Sequence, residues 1–207
     1  MSAAPPTVFV VDDNQGVLKS LQALVESAGI AVETYPTPEG FLAAYDAARP
    51  GCLVLDVRLR GSSGLDLQDE LHRRQATLPI IVMTGYADVP TSVRAFKGGA
   101  LDFLRKPVPP KLLIERIRSA IEIDRRDREV AERSALVAGH IAQLTPRERQ
   151  VMELLAVGNS SKQIATALTI SVRTVESHRR TVLRKMEVES AVQLARAVAG
   201  LRLPGGQ

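Results

Sequence analysis

Five polar residues, widely separated in the chain, each close an apolar run. Asp12 and Asp13 follow TVFVV, Asp56 follows CLVL, Thr84 follows LPIIVM and Lys106 follows ALDFLR. If these runs are parallel strands of one sheet, the five side chains meet at its carboxyl edge. Three carboxylates gathered there repel one another unless a divalent cation that prefers oxygen ligands, such as Mg²⁺, stands between them. One carboxylate can then attack a phosphoryl group, while a hydroxyl and an ammonium read the charge it gains. That is the chemistry of a switch.

The elements needed to position these groups are legible. From Val8 to about Ile123 strand-like and helix-like runs alternate. TVFVVDD, AVETY, CLVLDV, LPIIVMT and ALDFLRK read as strands. CLVLDV is almost continuously apolar, as a strand covered on both faces is. Between and after the strands lie five helical patterns: GVLKSLQALVESAGI, Pro38–Ala48, GLDLQDELHRRQ, DVPTSVRAFKGG and PPKLLIERIRSAIEI. Five βα units predict a five-stranded parallel, doubly wound sheet. The stretch from Ile121 to Gln143 is dense in charges of both signs and reads as a helical linker, either separate from the fifth helix or continuous with it. Its apolar positions Ile117, Ala120, Ile121, Val130, Ala131, Leu136 and Val137 fit either a narrow dimer seam or one face of a solvated connector. From Leu144 the pattern is all helical, giving an α/β half followed by an all-α half. There Thr145-Pro146 with Glu148 forms a capping box, and Ser160 or Ser161 caps KQIATAL.

Composition narrows the class. Charge is unevenly spread: residues 1–120 hold 13 Lys+Arg and 13 Asp+Glu, whereas residues 145–207 hold 10 and 5, which fits either a second half that alone meets a polyanion or simply a soluble basic domain. The single Cys52 lies in an apolar strand and is expected as a buried, reduced thiol. The start MSAAPPTVFV has no basic segment leading into an apolar one, and no apolar run approaches the roughly 20 residues of a membrane span. A cytoplasmic protein without membrane contact is expected.

VVDD, VLDVR, VMTGYA and FLRKP, in this order and spacing, resemble the receiver domain of bacterial response regulators over residues 6–123. The resemblance implies Asp56 as phosphoacceptor. It implies Asp12, Asp13, Asp56 and the backbone carbonyl of Arg58 as Mg²⁺ ligands. Thr84, Phe103 and Lys106 are implied as the groups that sense the phosphoryl and switch, with Lys106-Pro107 a cis candidate. Similar receivers carry Pro where Arg60 stands, so a less rigid and more basic loop is expected; Arg58 and Tyr86 are expected to tune water access.

After a linker over 124–139, residues 140–205 closely resemble the LuxR-type helix-turn-helix, carried by LTPRERQVMELLAVGNSSKQIATALTISVRTVESHRRTVLRKM. Together the halves look like a NarL/FixJ-type regulator, leaning to the FixJ branch. In the second motif helix Val175, Val182 and Met186 share a core face. By resemblance Glu176, Ser177 and Arg180 are expected at base edges, and Lys162, Arg173, Thr174, Arg184 and Lys185 at phosphates of double-stranded DNA. Implied partners are a sensor histidine kinase, duplex DNA in its major groove, a second copy of the chain when phosphorylated, and RNA polymerase. An aspartate-nucleophile phosphatase would need a second acid close after the nucleophile, and Arg58 stands there instead, so no enzyme is expected.

Overall fold

The computed structural model describes residues 4–85 and 89–199. They form two units divided between Arg128 and Glu129. In the first unit β1 (Thr7–Val11), α1 (Gln15–Ser27), β2 (Ala31–Tyr35), α2 (Pro38–Ala44) and β3 (Gly51–Asp56) come first. A short antiparallel hairpin, β4 (Arg58–Leu59) and β5 (Ser62–Ser63), follows. Then come α3 (Gly64–Arg73), β6 (Ile80–Thr84), α4 (Val89–Lys97), β7 (Asp102–Arg105) and the start of α5 (Pro110–Ala142).

The five long strands pair in parallel in the order β2-β1-β3-β6-β7. Alternation along each strand sorts the core into two layers. Phe9, Leu53, Leu55 and Val82 point to the side covered by α2, α3 and α4. Val8, Val10, Val54 and Ile81 point to the side covered by α1 and α5. Each such fully buried side chain contributes about 1.5–3 kcal/mol relative to its exposed state. Cys52 is a free thiol wholly inside this second layer, and burial pushes it up to about 12, which leaves it protonated and inert.

Several boundaries differ from the sequence reading. The second helix stops at Ala44 rather than Ala48 because Tyr45 turns extended. The Asp46 carboxylate then accepts from Ala48 N at 2.9 Å, closing a local turn that competes with the helix. The third helix ends at Arg73 because Gln75 takes a positive φ of 56°. The hairpin β4–β5, built on Gly61 at φ 81°, replaces an expected plain loop.

Through the expected linker α5 runs unbroken, from Pro110 to Ala142. Its seam residues divide three ways. Ile117 and Ala120 are wholly buried in the first unit, and Val137 is buried in the second. Val130, Ala131 and Leu136 are exposed. Ile121 is half-buried against the core of the first unit.

In the second unit α6 (Pro146–Ala156), α7 (Ser161–Leu168), α8 (Val172–Lys185) and α9 (Ala191–Val198) share a core of Val151, Met152, Ile164, Val175, Val182 and Leu194. Thr145 and Glu148 form the expected capping box on α6; Ser160, not Ser161, caps α7 in a box with Gln163. No helix among the described residues is long and apolar enough to cross a membrane.

Candidate acceptor site and nucleic-acid interface

The sheet order changes direction between β1 and β3, and a crevice at such a point, beyond the strand carboxyl ends, is where this architecture binds ligands. Asp12 and Asp13 follow β1 there, and Asp56 is the last residue of β3. One carboxylate oxygen from each lies within 4.8 Å of the others. Asp12 and Asp56 are buried, whereas the Asp13 side chain is 24% exposed, so the group opens on one side only.

Lys106, just past β7, reaches into the same place. Its Nζ lies 2.6 Å from Asp12 Oδ2 and 3.1 Å from Asp56 Oδ1. Its backbone N donates to Thr84 O at 2.7 Å, and the Lys106-Pro107 peptide is cis. Thr84 ends β6 and is fully buried. All five expected groups thus come to one edge. Burial pushes the Asp56 carboxyl above its ordinary range, with the Lys106 ammonium pulling it back down. Three carboxylates face one ammonium and the exposed Arg60 guanidinium, so negative charge remains in excess, and the donors are all hard oxygens. This donor set fits a small divalent cation.

The supporting residues explain the placement. Asp12 Oδ1 accepts from Asn14 N at 2.9 Å, and Asn14 in turn caps α1. Gly64 opens α3 directly against the acceptor strand: a Cβ there would stand 2.0 Å from the Asp56 carbonyl oxygen. Arg58 opens the hairpin. Arg60, where Pro was the common residue, puts its exposed Nε 3.4 Å from Asp13 Oδ2. Phe103 is half-buried against the α2–α4 layer, its ring centroid 6.4 Å from that of Phe96. Tyr86 lies outside the described residues.

In the second unit α7, a turn through Thr169 in the left-handed region, and α8 form the helix-turn-helix. Ser171 caps α8 and accepts from Thr174 N. Arg173, Thr174, Glu176, Ser177, Arg180 and Arg184 are exposed on α8, and Lys162 is exposed on α7. No described carboxylate pairs with Lys162, Arg173, Arg180 or Arg184, so these cations remain open to a polyanion.

Lys185 differs from these in having partners within the unit. Its Nζ donates to Glu148 Oε2 at 2.7 Å and to the Gln143 carbonyl at 3.2 Å. The Lys185 ammonium in turn holds the Glu148 carboxyl below its ordinary range. Lys185 therefore braces α8 against the start of α6. One pairing was not foreseen from the sequence: Ser161 Oγ donates to Glu176 Oε1 between the two motif helices. Fifteen positions separate the two residues, so no local pattern signals it.

Comparison with known proteins agrees with both halves. Residues 8–118 match the response regulator receiver domain, and residues 142–198 match the bacterial regulatory proteins of the luxR family. The chain belongs to the response regulators. It is 42% identical over 193 residues to the transcriptional regulatory protein FixJ of Bradyrhizobium diazoefficiens, covering 91% of this chain and 92% of that one. It is 37% identical over 202 residues to the response regulator protein TodT of Pseudomonas putida, covering 98% and 89%. The solved structure of the response regulator StyR superimposes with a TM-score of 0.85 at 38% identity, covering 95% and 99%. This response regulator is thus of the NarL/FixJ type, with a receiver domain and a LuxR-type DNA-binding domain.

Proposed function

We propose that this response regulator is a cytoplasmic, non-enzymatic transcription factor whose grip on DNA is set by phosphorylation of Asp56 by a sensor histidine kinase. The observation that carries the reading is the convergence of Asp12, Asp13, Asp56 and Lys106 at one strand edge. Asp12, Asp13, Asp56 and the Arg58 carbonyl would hold Mg²⁺, which would supply neutralisation of charge on the phosphoryl oxygens. The Asp56 carboxylate, at the end of the central strand, attacks phosphorus in line, and the imidazole nitrogen of the kinase's phosphohistidine departs on the opposite side. Lys106 supplies a compact positive charge to the transferred group. The Thr84 hydroxyl donates to it, and Phe103 follows into the space that Thr84 leaves.

The new phosphoryl adds about 1.5–2 negative charges in a partly buried site, enough to bias a two-state element. The change reaches α4, β7 and α5, the face on which a phosphorylated homodimer forms. Exposed Val89, Val93 and Phe96 on α4 support that face. Two linked DNA-binding domains then match two half-sites of a pseudo-palindrome. Glu176, Ser177 and Arg180 meet base edges; Lys162, Arg173, Thr174, Arg184 and Lys185 meet phosphates; bound sites present the protein to RNA polymerase. The domains corresponding to this division are 6–123, a helical segment over 124–139, and 140–205.

The direct test is labelling from a small phosphodonor in the presence of Mg²⁺. The wild-type chain takes up acid-stable, base-labile phosphate and Asp56→Asn takes up none. Label retained in the variant refutes the assignment.

A further inference from the structure

A recognition helix reads bases only if its short list of side chains is held in place, and a flexible exposed glutamate is poorly held by its own helix. Glu176 lies exposed on α8, where a free carboxylate has several rotamers of similar energy. Here a second helix restrains it. Ser161 is the first residue of α7, half-buried, and its hydroxyl donates to Glu176 Oε1. The hydrogen bond is not part of the helix cap, because Ser160 and Gln163 already satisfy the α7 terminus. The Ser161 hydroxyl has one proton, and that proton goes to Oε1. Oε2 is left to accept from a donor outside the protein.

We propose that Ser161 is a specificity-positioning residue: it holds one oxygen of the Glu176 carboxylate so that the other is presented to an exocyclic amino group in the major groove. Cytosine N4 and adenine N6 are the exocyclic donors there, and cytosine N4 is the usual partner of a carboxylate. The proposal rests on the reading of α8 as the helix that enters the groove. Ser161 itself touches no base. Its contribution is to remove rotamer freedom from Glu176 before DNA arrives, which sharpens one position of the binding site and leaves phosphate contacts alone.

The test is selection of bound duplexes from a random pool by the full-length protein, followed by affinity measurement on single-base variants of the selected site. It is run at one salt concentration for wild type, Ser161→Ala, Ser161→Thr and Glu176→Gln. Ser161→Ala is expected to lose discrimination at one base pair by about five-fold or more, within the range a single mismatched pair commonly carries. The pair affected is the one that Glu176→Gln alters. Ser161→Thr, which keeps the hydroxyl, restores the preference. Affinity for non-specific duplex and the unfolding temperature of the domain stay at wild-type values, since the Ser160 cap is untouched. An unchanged profile for Ser161→Ala beside an altered one for Glu176→Gln overturns the proposal alone. An unchanged Glu176→Gln profile overturns both it and the assignment of Glu176 to a base edge. A sharper preference in Ser161→Ala shows that the hydroxyl withholds the carboxylate, and overturns the proposal as well.

Discussion

Arg128 offers a demanding test of how the receiver holds the helix that leaves it. Asp124 is 1% exposed in its side chain, and its Oδ2 accepts from Gly51 N at 2.8 Å. Arg128 Nε donates to both Asp124 oxygens, at 3.0 and 2.8 Å. Its two terminal nitrogens reach the carbonyls of Ala47, Ala48 and Arg49 at 2.9, 3.3 and 2.8 Å. The pair thus clamps α5 to the loop between α2 and β3, ten residues past the end of the receiver match at 118. Arg128→Ala removes all of these bonds and strands a buried carboxylate with the Gly51 amide as its remaining donor. Breaking a wholly buried pair costs about 3–5 kcal/mol, and the 22% exposure of the Arg128 side chain lowers that to about 2–4 kcal/mol. With about 2.1 cal/mol/K of unfolding entropy per residue, the 128 residues of the first unit carry roughly 270 cal/mol/K, so the expected fall in Tm is about 7–15 °C.

The assay is built into the composition. The chain has no Trp, and its three Tyr, at 35, 45 and 86, all precede residue 128. Tyrosine fluorescence on the full-length protein therefore reports the first unit alone. Asp124→Asn added to Arg128→Ala removes the stranded charge and is expected to recover part of the loss, a non-additivity of about 1 kcal/mol or more. A fall below about 3 °C for Arg128→Ala, or strictly additive effects, refutes the claim that a buried ion pair fixes this helix.

Lys185→Ala is expected to destabilise the second unit by about 1–2 kcal/mol at neutral pH, because Glu148 loses its charged donor. The Glu148 carboxyl is lowered in the fold, so the unfolded chain binds its proton first as pH falls. The stabilisation is complete above the ordinary value of 4.5 and is lost as pH drops through the lower folded value. Unfolding midpoints of wild type and variant, followed by helical circular dichroism, should therefore converge in acid. Arg180→Ala should relax preference at one base pair. Lys162→Ala should weaken all sequences alike and reduce the salt slope by about one. Binding titrations over a range of salt separate the two, and identical behaviour contradicts the sorting of base from phosphate contacts.

What was legible in the sequence follows from which forces are local. Asp12, Asp13, Asp56, Thr84 and Lys106 each close an apolar run, and the parallel sheet converts that pattern into one site. The Thr145 cap is short-range chemistry and reads directly. The Asp124–Arg128 pair was hidden, because an acid and a base four apart in a charged stretch look like any solvated helix face. Only the tertiary partners at Ala47, Arg49 and Gly51 make it a buried clamp. The Lys185–Glu148 pair was hidden for the same reason, since its members lie 37 positions apart. The apolar residues of α5 share a helical rhythm, yet Ile117 and Val137 enter two different cores while Val130 faces solvent. Periodicity shows that a face is apolar without showing what covers it.

The central claim is that covalent charge on Asp56 governs the hold of α8 on duplex DNA. The most direct measurement is the affinity of the full-length protein for its selected site, at fixed salt with Mg²⁺, before and after treatment with a small phosphodonor. Wild type should bind about ten-fold or more tightly once treated, a difference of about 1.4 kcal/mol at least, while Asp56→Asn stays at the untreated value throughout. Equal affinities for treated and untreated wild type, or a gain that persists in Asp56→Asn, would contradict it.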